Sequence, residues 1–130
     1  GRWGQERGML RSLFLVGPIK KRMLRVLELD PGHGGAHHLL GELYRQLPGF
    51  AGGSKRKAIA EFEAAVRLSP RHTVNYFALG RALLEAGEKA KAVEAFRAAL
   101  EVKDSDDPAE HEESLAEARR MLSGIEGGGR

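Results

Sequence analysis

A glycine inside a helix costs about 1 kcal/mol relative to alanine, and this chain carries one at the same place twice. Leu40-Gly41 lies in "GGAHHLLGELYR" and Leu79-Gly80 in "TVNYFALGRALL". Each segment is followed by a second one with alanine, phenylalanine and alanine in step: Ala58, Phe62 and Ala65, then Ala92, Phe96 and Ala99. Apolar residues three and four apart mark one face of a helix. Small residues recurring on paired helices predict a close crossing, with the phenylalanines filling the space beside it. A lone hairpin of this kind cannot bury its apolar face, so about three units must stack. The expected fold class is all-α.

Start and stop signals give the element order. Pro18 is suited to the first position of a helix, and "IKKRMLRVLEL" then sets Ile19, Met23, Val26 and Leu27 on one face, until Asp30-Pro31-Gly32 ends it. Further helices are expected over 36–46, 55–68 with Ser54 as N-cap, 73–86 closed by Gly87, and 89–102. A last one follows "DPAEHEESLAEARRML", with Asp107 as its cap and Pro108 first. The expected domain spans 18–122: a half repeat at 18–30, a repeat at 34–70 with an enlarged loop 47–54, a repeat at 72–103 and a capping helix at 107–122. Residues 1–17 are expected to be poorly ordered or a degenerate first helix, and 123–130 a flexible tail.

The enlarged loop, "LPGFAGGS" before "KRK", has the glycines of a phosphate cradle but not the order. A P-loop requires G-x-x-x-x-G-K-[ST] after a strand. Here Ser54 precedes Lys55, Arg56 follows it, and the preceding segment is a helical stripe.

The Leu-Gly pairs stand 39 residues apart. Together with His37, Tyr44, Tyr76, Leu83 and the closing Pro70, these positions resemble the tetratricopeptide repeat, whose period is about 34. The extra residues fall between Tyr44 and Ala58. The resemblance implies a right-handed superhelical stack of antiparallel helix hairpins, a tetratricopeptide-like α-solenoid. A weaker likeness is to bacterial repeat proteins with an "LPG…GG" insertion between paired helices, including the repeat-built partners of TRAP transporters. In this family the first helices line a groove. Carried over by position, the groove residues are His38, Glu42, Arg45, Phe77, Arg81 and Leu84. The chaperone-tail binders of the family hold lysine and asparagine there, whereas this chain has His38 and Phe77, Glu42 and Arg81. A peptide or protein segment is therefore expected, with Phe77 as anchor.

The remaining chemistry is sparse. Without cysteine there are no disulfides or thiolate metal sites, and the compartment stays open between cytoplasm and periplasm. No apolar run approaches the roughly 20 residues of a membrane span. The chain does not begin with methionine, so a targeting segment could have been removed. No serine sits on a nucleophile elbow, so no catalytic residue is assigned. His33, His37 and His38 lack the arrangement of a metal helix, and "DSDDPAEHEE" lacks the glycine of a calcium loop. Neither metal nor cofactor is expected.

Ser54, Lys55, Arg56 and Lys57 could meet an anion or partner at a helix start. Phe50 would be a contact at the loop tip. Residues 1–27 hold seven cations against Glu6 alone, and residues 104–130 eight carboxylates against three arginines. The reading is a non-catalytic protein-interaction module. Its alternatives are a scaffold that self-assembles into a homo-oligomer through these opposite ends, or nucleic-acid binding by the basic segment. The last is disfavoured, since only Trp3 and Phe14 interleave that segment.

Overall fold

The computed structural model describes residues 2–128, with side chains over 16–127. Among these there are six α-helices, one 3-10 turn and no strand: α1 (Arg2–Leu29), α2 (Gly34–Gln46), the turn Gly49–Ala51, α3 (Lys55–Leu68), α4 (Thr73–Glu85), α5 (Lys89–Leu100) and α6 (Pro108–Gly128). α2 pairs with α3 and α4 with α5, as hairpins; α3 packs on α4, α1 on α2, and α6 on both α4 and α5.

The core comes in two linked parts. Leu40, Tyr44, Ala58, Phe62, Ala78 and Ala82 form one, covered on its outer side by Met23 and Leu27 of α1. Leu83, Ala92, Ala95, Phe96, Ala99, Ala118 and Leu122 form the other. Ile59 and Leu79 touch both and join them. The two helix-internal glycines explain the hairpins. A Cβ on Gly41 would stand 2.7 Å from the Phe62 ring, and one on Gly80 would stand 2.6 Å from the Phe96 ring. Both rings are fully buried. Each phenylalanine lies flush on its partner helix only because a hydrogen occupies that place.

Two elements extend further than the sequence signals indicate. α1 does not open at Pro18 but runs through it from Arg2. Gly17 and Pro18 are both exposed, so the ring meets solvent instead of a neighbouring helix. α6 continues past Leu122 to Gly128, with Ile125 packed against the second core.

Asp107 is the clearest local surprise. Its carboxylate does not cap α6. It accepts from the backbone N–H groups of Thr73 (3.1 Å) and Val74 (3.2 Å), at the start of α4, and from the Ser105 hydroxyl. The Asp106 N–H donates to Arg71 O nearby, at 3.0 Å. Four orphan donors open every helix. His72, at the cap position of α4, offers them no side-chain acceptor, so Asp107 reaches in from the connection between α5 and α6.

Candidate functional site: a groove across alternate helices

α2, α4 and α6 present one continuous groove. A cavity of about 320 Å³ lies between Gly34, His38, Val74, Asn75 and Glu110. A second, of about 270 Å³, is floored by Val74 and Phe77 and walled by Glu110, Glu113 and Glu117. Val74 and Glu110 belong to both. The α6 wall escapes the repeat-based mapping, which treats that helix as a cap. Its signal is nevertheless in the sequence: 110, 113, 114 and 117 are spaced to share one helix face.

The structure gathers the mapped residues but sets most of them against each other. Glu42 accepts from Arg81 Nη2 (2.8 Å) through one oxygen and from Arg45 Nη2 (3.1 Å) and Gln46 Nε2 (2.8 Å) through the other. Arg45 Nη1 reaches Glu85 at 2.9 Å. Burial pushes the Glu42 carboxyl up, but bonds from Arg45 and Gln46 and the charges of Arg81 and Arg45 outweigh it, leaving the group below its ordinary range. The same network holds the Arg45 guanidinium above its ordinary value despite burial. This chain of charges braces α2 against α4 and pairs the carboxylate of Glu42 fully, although the buried Nε groups of Arg45 and Arg81 have no partner among the described residues.

Phe77 remains available. Its ring is partly exposed, tilted against Phe96 at 5.8 Å between centroids, with the Arg81 guanidinium 5.3 Å above it. That stacking shows a face already disposed to a cation. His38 is held in place: its Nδ1–H donates to Asn75 Oδ1 at 2.8 Å, and its ring meets the edge of Phe62. Leu84 packs against the second core. Glu110 and Glu113, by contrast, are exposed and have no ion-pair partner among the described residues.

The other candidates lie elsewhere. The Ser54 hydroxyl caps α3 by accepting from Lys57 N at 3.1 Å. Lys55, Arg56 and Lys57 are exposed around it. Phe50, 87% exposed, stands at the loop tip. The loop is locked from within: Pro48 O accepts from both Ala51 N and Gly53 N at 3.0 Å, and Ser54 N donates to Tyr44 O at 2.9 Å. Gly52 has φ 97°, and a Cβ on Gly53 would lie 1.8 Å from Leu47 O. The glycines therefore serve loop closure. His33 caps α2, accepting from Ala36 N. His37 faces Glu61 and Pro31 O, so the three histidines diverge. His72, Asp106 and Asp107 bring ligand-type atoms within 4.8 Å of one another. However, both Asp107 oxygens serve α4, and His72 Nδ1–H already donates to Asp106 at 2.7 Å. No helix among the described residues is long and apolar enough to cross a membrane.

Residues 49–126 match the family model described as regulator of microtubule dynamics protein 1-3. The span covers more than half of the chain, which belongs to that family. No curated protein matches it. The match corrects the reading of the chain as a tetratricopeptide or transporter-partner repeat, since no tetratricopeptide model matches. The physical reason is that Leu-Gly facing phenylalanine, with alanines flanking, is a packing solution for closely crossed hairpins. It reports geometry, and geometry is shared beyond one lineage.

Proposed function

We propose that this member of the regulator of microtubule dynamics family is a non-catalytic protein-interaction module. It receives a peptide or protein segment in the groove of α2, α4 and α6. The reading takes the hairpins as a right-handed superhelical stack with that groove on its inner side. The observation that carries it is Phe77: an aromatic left partly open on a groove floor, beneath a wall of carboxylates two of which lack a counter-charge. Such a site favours a segment that lays an apolar side chain on Phe77 and a lysine or arginine against Glu110 and Glu113. The family description, regulator of microtubule dynamics, makes the microtubule system the place to look for that segment.

Phe77→Ala with Glu113→Lys tests this. Arg81 is left intact, because reversing its charge would set two carboxylates together at Glu42. Affinity capture from native lysate and co-sedimentation with microtubules should lose the partner in the variant while its helical circular dichroism is kept. Unchanged capture would move the site off the groove.

Self-association is a second reading. Exposed Lys21, Arg22 and Arg25 on α1 oppose the carboxylates of α6 at the other end of the chain. It predicts oligomers that dissolve with salt in light scattering.

A further inference from the structure

A different surface points outward. Phe50 is the most exposed large apolar residue among those described, at 87%, and stands on a turn whose backbone is fixed by its own hydrogen bonds. Phe50 lines none of the principal cavities, although the roomiest of them, about 570 Å³, is bordered by Lys55 and Arg56 in the turn that follows the loop. An aromatic displayed on a hydrogen-bonded turn and lining no recess itself is disposed to enter something, not to receive it.

Cations flank the loop that carries it. From α1, Lys20 Nζ comes over the Tyr44 ring at 5.0 Å and lies 3.9 Å from where a Cβ on Gly52 would be. From α3, Lys57 Nζ stands over the same ring at 5.6 Å. Lys55 and Arg56 are exposed in the turn after the loop, and Lys21 beside Lys20. None of these five is in an ion pair among the described residues. Three of the cations occupy the first turn of α3, where the helix dipole opposes them. An external negative field would relieve that.

We infer that the 47–57 face docks on an anionic phospholipid surface, Phe50 entering the headgroup boundary and Lys20, Lys21, Lys55, Arg56 and Lys57 meeting acidic headgroups. A bilayer interface accepts a protruding aromatic without shape complementarity and supplies a diffuse negative potential, the two things this face is shaped for. An acidic polypeptide would have to supply a pocket shaped to Phe50 as well as the charge, and is the alternative that the test separates. The inference is independent of the groove and of what fills it.

Flotation with vesicles tests it. The protein should float with phosphatidylcholine containing about 30 mol% phosphatidylserine, and each basic residue changed to alanine should weaken binding roughly fivefold. Phe50→Ser should weaken it about tenfold or more without loss of helicity, since the side chain touches no core residue. Binding should fade with salt and be absent on pure phosphatidylcholine. Equal binding to pure phosphatidylcholine, or unchanged binding by Phe50→Ser, would overturn the inference. So would Phe50-dependent binding to poly-glutamate with none to vesicles.

Discussion

Gly80→Ala is the sharpest test of the hairpin geometry, because two known effects act on it with opposite signs. Alanine is the better helix former by about 1 kcal/mol, so propensity alone predicts stabilisation. The added Cβ would lie 2.6, 2.7 and 2.9 Å from three atoms of the Phe96 ring, well inside ordinary contact. That ring is fully buried and cannot swing aside, so α4 and α5 must separate. Overpacking of this kind costs about 1–3 kcal/mol, and three simultaneous close contacts with a rigid ring place it at the upper end. The net is a destabilisation of about 2 kcal/mol, or a fall in Tm of roughly 6–10 °C for a chain of this size. Urea and thermal melts followed by circular dichroism measure it. Gly124→Ala is the internal control: it is helical and exposed, with nothing within 4 Å, so it should gain up to about 1 kcal/mol. In a Phe96→Leu background the Gly80→Ala cost should largely vanish. A Tm that rises in Gly80→Ala, or a cost unchanged when Phe96 is shortened, would refute the close crossing.

Two further outcomes concern the connections. Asp107→Ala should cost about 1–2 kcal/mol by uncapping α4. Burial raises the Asp107 carboxyl, but bonds from Ser105, Val74 and Thr73 and the nearby His72 outweigh it and hold it below its ordinary range, as with Glu42. Both contributions are therefore complete above the unfolded values and lost as the pH falls through the lower folded ones, below about pH 4. Denaturant midpoints measured down the pH scale should fall less steeply in Asp107→Ala. Gly53→Ala, whose Cβ would collide with Leu47 O at 1.8 Å, should open the loop and lower stability, while a neutral result in thermal melts would show the loop closed by other means.

What the sequence made legible was whatever is periodic or local. The bounds of α3 and the capping role of Ser54 follow from apolar spacing and from residues adjacent to the helix ends, whereas α2 begins two residues earlier and α5 ends two residues sooner than that spacing indicates. The role of Gly41 and Gly80 follows from their recurrence against Phe62 and Phe96. What depends on two distant segments meeting was not legible. Asp107 stands one residue before Pro108, the strongest local argument for a self-cap, and the competing donors on Thr73 and Val74 come near only after α6 folds onto α4. Repeat position brings Glu42, Arg45 and Arg81 together as groove residues, but their mutual pairing needs the α2–α4 distance, which no residue spacing encodes. Proline's usual preference is for a first helical position, whereas α1 carries Pro18 in its interior on an exposed face.

The reach of Asp107 has a consequence for where this chain can be divided. A polypeptide ending at Lys103 would retain both hairpins and every glycine–phenylalanine contact, yet α4 would begin with bare amides. Thr73, with no exposure at all, would also lose the hydroxyl and imidazole that its own oxygen meets in Ser105 and His111. The acidic crossing before α6 is therefore a clasp, fastening the entrance of an earlier helix. The natural seam lies outside it, and the hairpins stand or fall with the strand of residues that follows them.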